Sequence, residues 1–226
     1  MLESLTLTRV TRSEMVWIMK KPAQPEKRDS YHHGDLRSQL IDATRALVEE
    51  KGPDHFSVSE ACRRAGVSSA APYKHFQDKE EMLRAVALGG MQRQRSDLIE
   101  EIEKYEIGSV DRIIAMGRVY IRFAMTEPGV FRLMFGLSED HGAHSELVET
   151  GNSTFAVVQQ EVARYRGSET VNASDEHQAF LLWSFVHGLS FLTIDGKLAE
   201  KNVDVDLEAV LHDIAIRVVG NPSGVA

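Results

Sequence analysis

The sequence predicts an all-α chain, and three observations carry that prediction. Apolar residues return at spacings of three and four in one segment after another, and no strand-like alternation of any length occurs. Prolines number only six in 226 residues, so long stretches run without a helix breaker. Helix-start signals stand ahead of several periodic segments, including Ser57 with Glu60 and Asp78 with Glu81, each at capping-box spacing. With 42% apolar residues the chain can bury a sizeable core.

The elements follow in order. Residues 1–30 lack a helical period, contain Pro22 and Pro25, and carry the basic cluster Lys20, Lys21, Lys27 and Arg28. They are expected to form a disordered arm. An extension upstream of a start at Met19, or a basic arm that reaches DNA phosphates, is the other reading. Asp35 is placed to cap a first long helix through Glu50, with Leu36, Leu40, Ala43, Leu47 and Val48 on its inner face, and Gly52-Pro53 ends it. Val58, Ala61, Cys62 and Ala65 mark one stripe of a short helix that Gly66 terminates. Ser68 is expected to cap a second short helix whose first turn is Ser69-Ala70-Ala71-Pro72. Phe56 and Phe76 are expected to close the small core.

A longer helix starts at Lys79. Gly89-Gly90 is expected to interrupt it, as a helix end or a deformable joint, because each mid-helix glycine costs about 1 kcal/mol relative to alanine. It is expected to resume from Met91 to about Tyr105. An amphipathic helix covers 110–125, Glu127-Pro128-Gly129 breaks it, and 130–135 give one or two apolar turns. A loop at 138–143, a helix from Ser145 to Tyr165, a helix capped by Ser174 running to about Lys197, and a last helix over Leu207–Val219 complete the set.

Two short helices joined by a glycine turn form a helix-turn-helix pattern, which many helical proteins present by chance. The surrounding residues are more specific. Tyr31-His32-His33-Gly34-Asp35-Leu36-Arg37, the A-G-V-S turn at 65–68, the Y-K-H-F run at 73–76 and the D-K-E-E-M-L run at 78–83 occur in the order seen in the DNA-binding domain of TetR-family transcriptional regulators. Residues 31–90 resemble that domain. Further on, Trp183, His187 and Gly188 form a W-x-x-x-H-G pattern that resembles the C-terminal ligand-binding domain of one TetR subgroup. Trp183 and His187 share a helix face. Core packing is the alternative account of both.

The resemblance implies an arm at 1–30, a three-helix DNA-binding domain at 31–78, a helical ligand-binding and dimerisation domain at 79–220, and a tail at 221–226. It implies a homodimer paired through the last two helices, a palindromic double-stranded DNA operator and a small-molecule inducer. Matched to the family's pattern, Ser69, Ala70 and Tyr73 are expected at base edges, with Ser59 and Ser68 close by. Ser57, Lys74, His75, Lys79 and the Tyr73 hydroxyl are expected at phosphates. An apolar pocket is expected to draw on Met116, Tyr120, Phe123, Phe131, Met134, Phe155, Trp183 and His187, residues that an ordinary helical core would equally use.

Charge fits one DNA-facing end. Residues 1–95 carry a net +3 and residues 96–226 a net −11, within a total of −8. A single cysteine, Cys62, excludes an internal disulfide framework and suits a reducing cytoplasm. The longest apolar run, 179–194, falls short of the ~20 residues of a membrane span. His141 and His144 flank Gly142-Ala143 in an acidic loop with Glu139 and Asp140, but two loop histidines rarely suffice and no cysteine supports them, so no metal site is expected. No nucleophile elbow, phosphate-cradling glycine loop or H-E-x-x-H occurs, so neither catalysis nor a cofactor is expected. A repressor released from its operator by an inducer is the expected function. A helical ligand-binding or assembly module without a DNA role is the alternative, and a helical enzyme stands third.

Overall fold

The computed structural model describes residues 36–137, 146–201 and 205–220. Helices α1 (Leu36–Lys51), α2 (Val58–Ala65), α3 (Lys79–Ile102), α4 (Val110–Thr126), α5 (Pro128–Gly136), α6 (Glu146–Tyr165), α7 (Ala173–Ile194), α8 (Lys197–Glu200) and α9 (Leu207–Val219) follow one another. A three-residue 3-10 turn, Pro72–Lys74, lies between α2 and α3, and no strand occurs among the described residues. The predicted all-α class holds. The expected arm at 1–30, the caps at Asp35 and the loop with His141 and His144 lie outside the described residues.

The described chain forms two compact units. One takes 36–96 together with 126–154, and the other takes 97–125 together with 155–220. In the first, α1 packs on α2 and on α5. Leu40, Val48, Phe56, Ala61, Cys62, Phe76, Met82 and Val86 are each at most 3% exposed, so Phe56 and Phe76 do close this core. The α5 backbone comes close to α1. A Cβ added at Gly129 would lie 2.6 Å from the Val48 carbonyl oxygen, which only glycine tolerates. Glu49 accepts hydrogen bonds from the backbone N–H groups of Gly129 (3.0 Å) and Val130 (2.8 Å), capping α5 from another helix. Burial pushes the Glu49 carboxyl upward, against these two hydrogen bonds. Arg93 holds Glu127 through both oxygens, next to Arg45.

In the second unit Leu98, Ile113, Met116, Ile121, Val162, Leu182, Val186 and Leu211 belong to one core. Here α7 packs on α8 and α9. A buried ion pair joins α4 to α6, with Arg112 gripping both oxygens of Glu161 at 2.7 and 3.1 Å.

Several expectations are corrected. Helix α3 runs without a break through Gly89 and Gly90 and ends at Ile102 rather than near Tyr105. A penalty of about 1 kcal/mol per glycine slows helix growth but does not end a helix of 24 residues whose apolar positions are packed. Asn172, not Ser174, caps α7. Its side chain accepts from Ser174 and Asp175 N–H groups while Asp175 reaches back to the Asn172 N–H, a complete capping box. That helix stops at Ile194, and Gly196 (φ 71°) starts the separate α8.

Candidate functional site

The helix-turn-helix is built by local chemistry. Ser57 Oγ accepts the Glu60 N–H at 3.2 Å and opens α2. Gly66 closes it in the left-handed conformation (φ 70°), its N–H reaching Arg63 O and the Val67 N–H reaching Cys62 O. The expected second α-helix is a succession of tight turns instead. The Ala71 N–H bonds Ser68 O at 3.0 Å, the Lys74 N–H bonds Ala71 O at 3.3 Å, and the His75 N–H bonds Pro72 O at 2.8 Å. Proline is the reason. Pro72 has no N–H for the Ser68 carbonyl, so that carbonyl takes the Ala71 N–H one residue earlier and the turn tightens. Asp78 Oδ1 then accepts the Glu81 N–H at 2.7 Å and starts α3.

This path leaves an outward row over a buried base. Pro72 and Phe76 are buried, whereas Ser68, Ser69, Ala70 and Lys74 are exposed and Tyr73 is 65% exposed. Ser57 and Ser59 share a hydroxyl contact of 3.1 Å at the start of α2. His75 is half-buried. Lys79 is engaged within the unit: its ammonium lies 4.8 Å from the Phe56 ring centre and donates to the Asp54 carbonyl at 3.3 Å.

The expected pocket residues divide between the two units. Phe131 and Met134 are buried on α5 in the first. The other six lie in the second, where Met116 and Phe123 are buried on α4. Four of those six come together. Tyr120 Oη accepts the Trp183 Nε1–H at 3.2 Å and lies 2.8 Å from His187 Nδ1. Phe155 of α6 packs against Trp183 with ring centres 5.8 Å apart, and Trp183 against His187 at 5.7 Å. Burial pushes the Tyr120 phenol well above its ordinary range and the His187 imidazole below its own, so the pair is neutral at pH 7. Trp183 retains 36% exposure and is no ordinary core residue.

On the same helix Phe180 (52%), Leu181 and Leu192 are exposed large apolar side chains. Ser184 and Gly188 lie among them, and a Cβ added at Gly188 would meet nothing within 4 Å. No helix among the described residues is long and apolar enough to cross a membrane.

Sequence reasoning missed the Glu49 clamp on α5, the Arg112–Glu161 pair and a cluster around Arg118. The pairs Arg112–Glu161, Glu49–Gly129 and Arg118–Glu208 lie 49 to 90 residues apart, and no local spacing signals them.

A helix-turn-helix with an exposed second turn, carried on an all-helical chain, fits the class of helical regulatory proteins. The comparisons give the family. Residues 40–86 match the model for bacterial regulatory proteins of the tetR family, and residues 113–216 match that of the tetracyclin repressor-like C-terminal domain. The chain belongs to the TetR family. It is 28% identical over 121 residues to the nucleoid occlusion factor SlmA of Mannheimia succiniciproducens, covering 52% of this chain and 53% of that one. It is 32% identical over 76 residues to the HTH-type transcriptional regulator BetI of Escherichia coli, covering 34% and 39%. The chain thus spans about half or less of the curated relatives it matches. Among solved structures, a protein of unknown function from Rhodococcus sp. RHA1 superposes with a TM-score of 0.72 at 29% identity, over 84% of this chain and 99% of that one. A tetR-family regulator from Streptomyces coelicolor gives 0.61 at 16% identity, over 80% and 78%, and so shares the fold.

Proposed function

We propose that this protein is a dimeric, sequence-specific DNA-binding repressor of the cytoplasm that a small-molecule inducer releases from a palindromic operator. One observation carries the reading: the Ser68–Lys74 turn is exposed while Pro72 and Phe76 beneath it are buried. The turn would enter the major groove of double-stranded DNA. Ser69, Ala70 and Tyr73, with Ser59 and Ser68 beside them, would meet base edges. Ser57, Lys74, His75 and Lys79 would grip phosphates, Lys79 by exchanging the Asp54 carbonyl for a phosphate oxygen. Ala70 suits a thymine methyl, and no arginine stands in the turn for bidentate reading of guanine. Part of the specificity therefore comes from DNA shape and half-site spacing.

The second copy would pair through α7 and α9, covering Phe180, Leu181 and Leu192. The inducer would bind in the second unit, among Met116, Tyr120, Phe123, Phe155, Trp183 and His187. It releases DNA only by favouring the conformation in which the two reading turns are wrongly spaced. Tight binding that is equal in both states would shift nothing.

Gel shift with DNA from upstream of the protein's own gene, at two salt concentrations, tests this. The expected result is binding that weakens steeply with salt, by a slope of about −0.9 per phosphate contact, and that Tyr73→Ala weakens without lowering the melting temperature. Absence of any shift with promoter-proximal DNA would favour a helical ligand-binding or assembly module.

A further inference from the structure

One guanidinium fastens three segments of the second unit. Arg118, in the middle of α4, holds both carboxylate oxygens of Glu208 through Nε and Nη2 at 2.6 and 2.7 Å. Its Nη1 donates to Tyr105 Oη at 3.2 Å and lies 3.6 Å from Glu101 Oε1. Glu101 is in the last turn of α3, Tyr105 in the α3–α4 connection, and Glu208 in the first turn of α9. Glu208 is well placed there, because the N-terminal end of a helix favours a carboxylate. Glu101 also meets Lys104 at 2.9 Å and Arg122 at 3.8 Å. The side chains of Arg118, Glu101 and Glu208 are 17%, 12% and 25% exposed. Water screens this cluster little, and the planar fork fixes an angle as well as a distance, which a lysine cannot do.

Position separates this cluster from the other bidentate pair in the unit. Arg112–Glu161 is more deeply buried and joins α4 to α6. Arg118 instead ties the end of α3 to α9. Helix α3 begins directly after the reading turn, and α9 is one of the two helices assigned above to the subunit interface. We propose that Arg118 is a coupling residue: it locks the last turn of α3 to the pairing helix α9, so that the subunit interface sets the separation of the two reading turns. This inference rests on the dimer reading given above.

The test needs neither operator nor inducer. The full chain carrying Cys62→Ala and a spin label on Ser69→Cys is measured by pulsed dipolar spectroscopy, with its melting temperature as a check on folding. The expected parent gives one narrow intersubunit distance. Arg118→Gln and the milder Glu208→Gln lose it, giving a broadened and shifted distribution while the dimer persists in sedimentation. The exchanged pair, Arg118→Glu with Glu208→Arg, recovers a narrower distribution than either single change. Glu161→Gln, a purely structural comparison, lowers the melting temperature and keeps the narrow distance. An unchanged distribution in both Arg118→Gln and Glu208→Gln overturns the coupling role and leaves the dimer reading standing. Absence of any intersubunit distance in the parent overturns the dimer reading, and the coupling role with it.

Discussion

Gly129→Ala probes the seat of α5 on α1. The added methyl carbon would lie 2.6 Å from the Val48 carbonyl oxygen, 2.9 Å from the Glu49 Cα and 3.0 Å from the Val48 carbonyl carbon. All three are backbone atoms of α1, so no side-chain rotation relieves the contact. Helix α5 must lift, and lifting stretches the two bonds from Gly129 and Val130 N–H to the Glu49 carboxylate. Overpacking of this kind costs about 1–3 kcal/mol, and weakening a hydrogen bond to a charged group adds roughly 1.5–3 kcal/mol. A total loss of about 2.5–6 kcal/mol is expected. At ~2–4 °C per kcal/mol for a chain of this size, the melting temperature falls by roughly 5–24 °C. Gly136→Ala, on the same helix but with nothing within 4 Å of the new carbon, supplies the comparison and shifts it by at most about 2 °C. Both variants are melted side by side by circular dichroism. Equal melting temperatures for Gly129→Ala and Gly136→Ala would refute the claim that this glycine seats α5.

Three further outcomes are expected. Glu161→Ala strands the buried Arg112 guanidinium and costs about 3–5 kcal/mol in urea unfolding, whereas replacing both residues by apolar ones of similar volume costs far less. Phe180→Glu places a charge in the exposed apolar face of α7; sedimentation should show a monomer whose helical content by circular dichroism is unchanged. The third concerns pH. Burial holds the folded-state His187 pKa below its ordinary 6.5, so the unfolded chain takes up the proton first on acidification. Stability attributable to this group is full above about pH 6.5 and is lost as pH falls toward the folded-state value. Melting curves between pH 7 and pH 5 should therefore decline more steeply for the parent than for His187→Gln, and parallel declines would count against a neutral imidazole beside Tyr120.

What the sequence made legible was local. Ser57, Gly66 and Asp78 act within three or four residues of themselves, and each does in space what its neighbours imply. The last helix begins and ends where its apolar period does, at Leu207 and Val219. The cap expected at Ser174 falls to Asn172 instead, the residue whose partner three positions on, Asp175, answers it. Gly89-Gly90 misled because a propensity of about 1 kcal/mol per residue is outweighed by tertiary packing along a long helix. The candidate sites were legible only as residue types. Trp183 and His187 stood out through their spacing, whereas Tyr120, 63 residues from Trp183, was one pocket candidate among several until the placed helices set it against both. The same holds for Arg118 and Glu208, since charges are plentiful on helix surfaces and spacing along the chain does not select partners.

The tight turns between Ser68 and Phe76 bear on how such a regulator changes its target. The shape of this segment is held from beneath by Pro72 and Phe76 and by backbone bonds, not by the side chains it displays. Exchanges at Ser69, Ala70 and Tyr73 should then cost the fold little, within about 0.5 kcal/mol each. With the DNA-reading role proposed above for these positions, descendants of one chain would acquire new operators through a handful of surface exchanges while their folding stability stays intact, and a library randomised at those three positions should remain almost entirely folded.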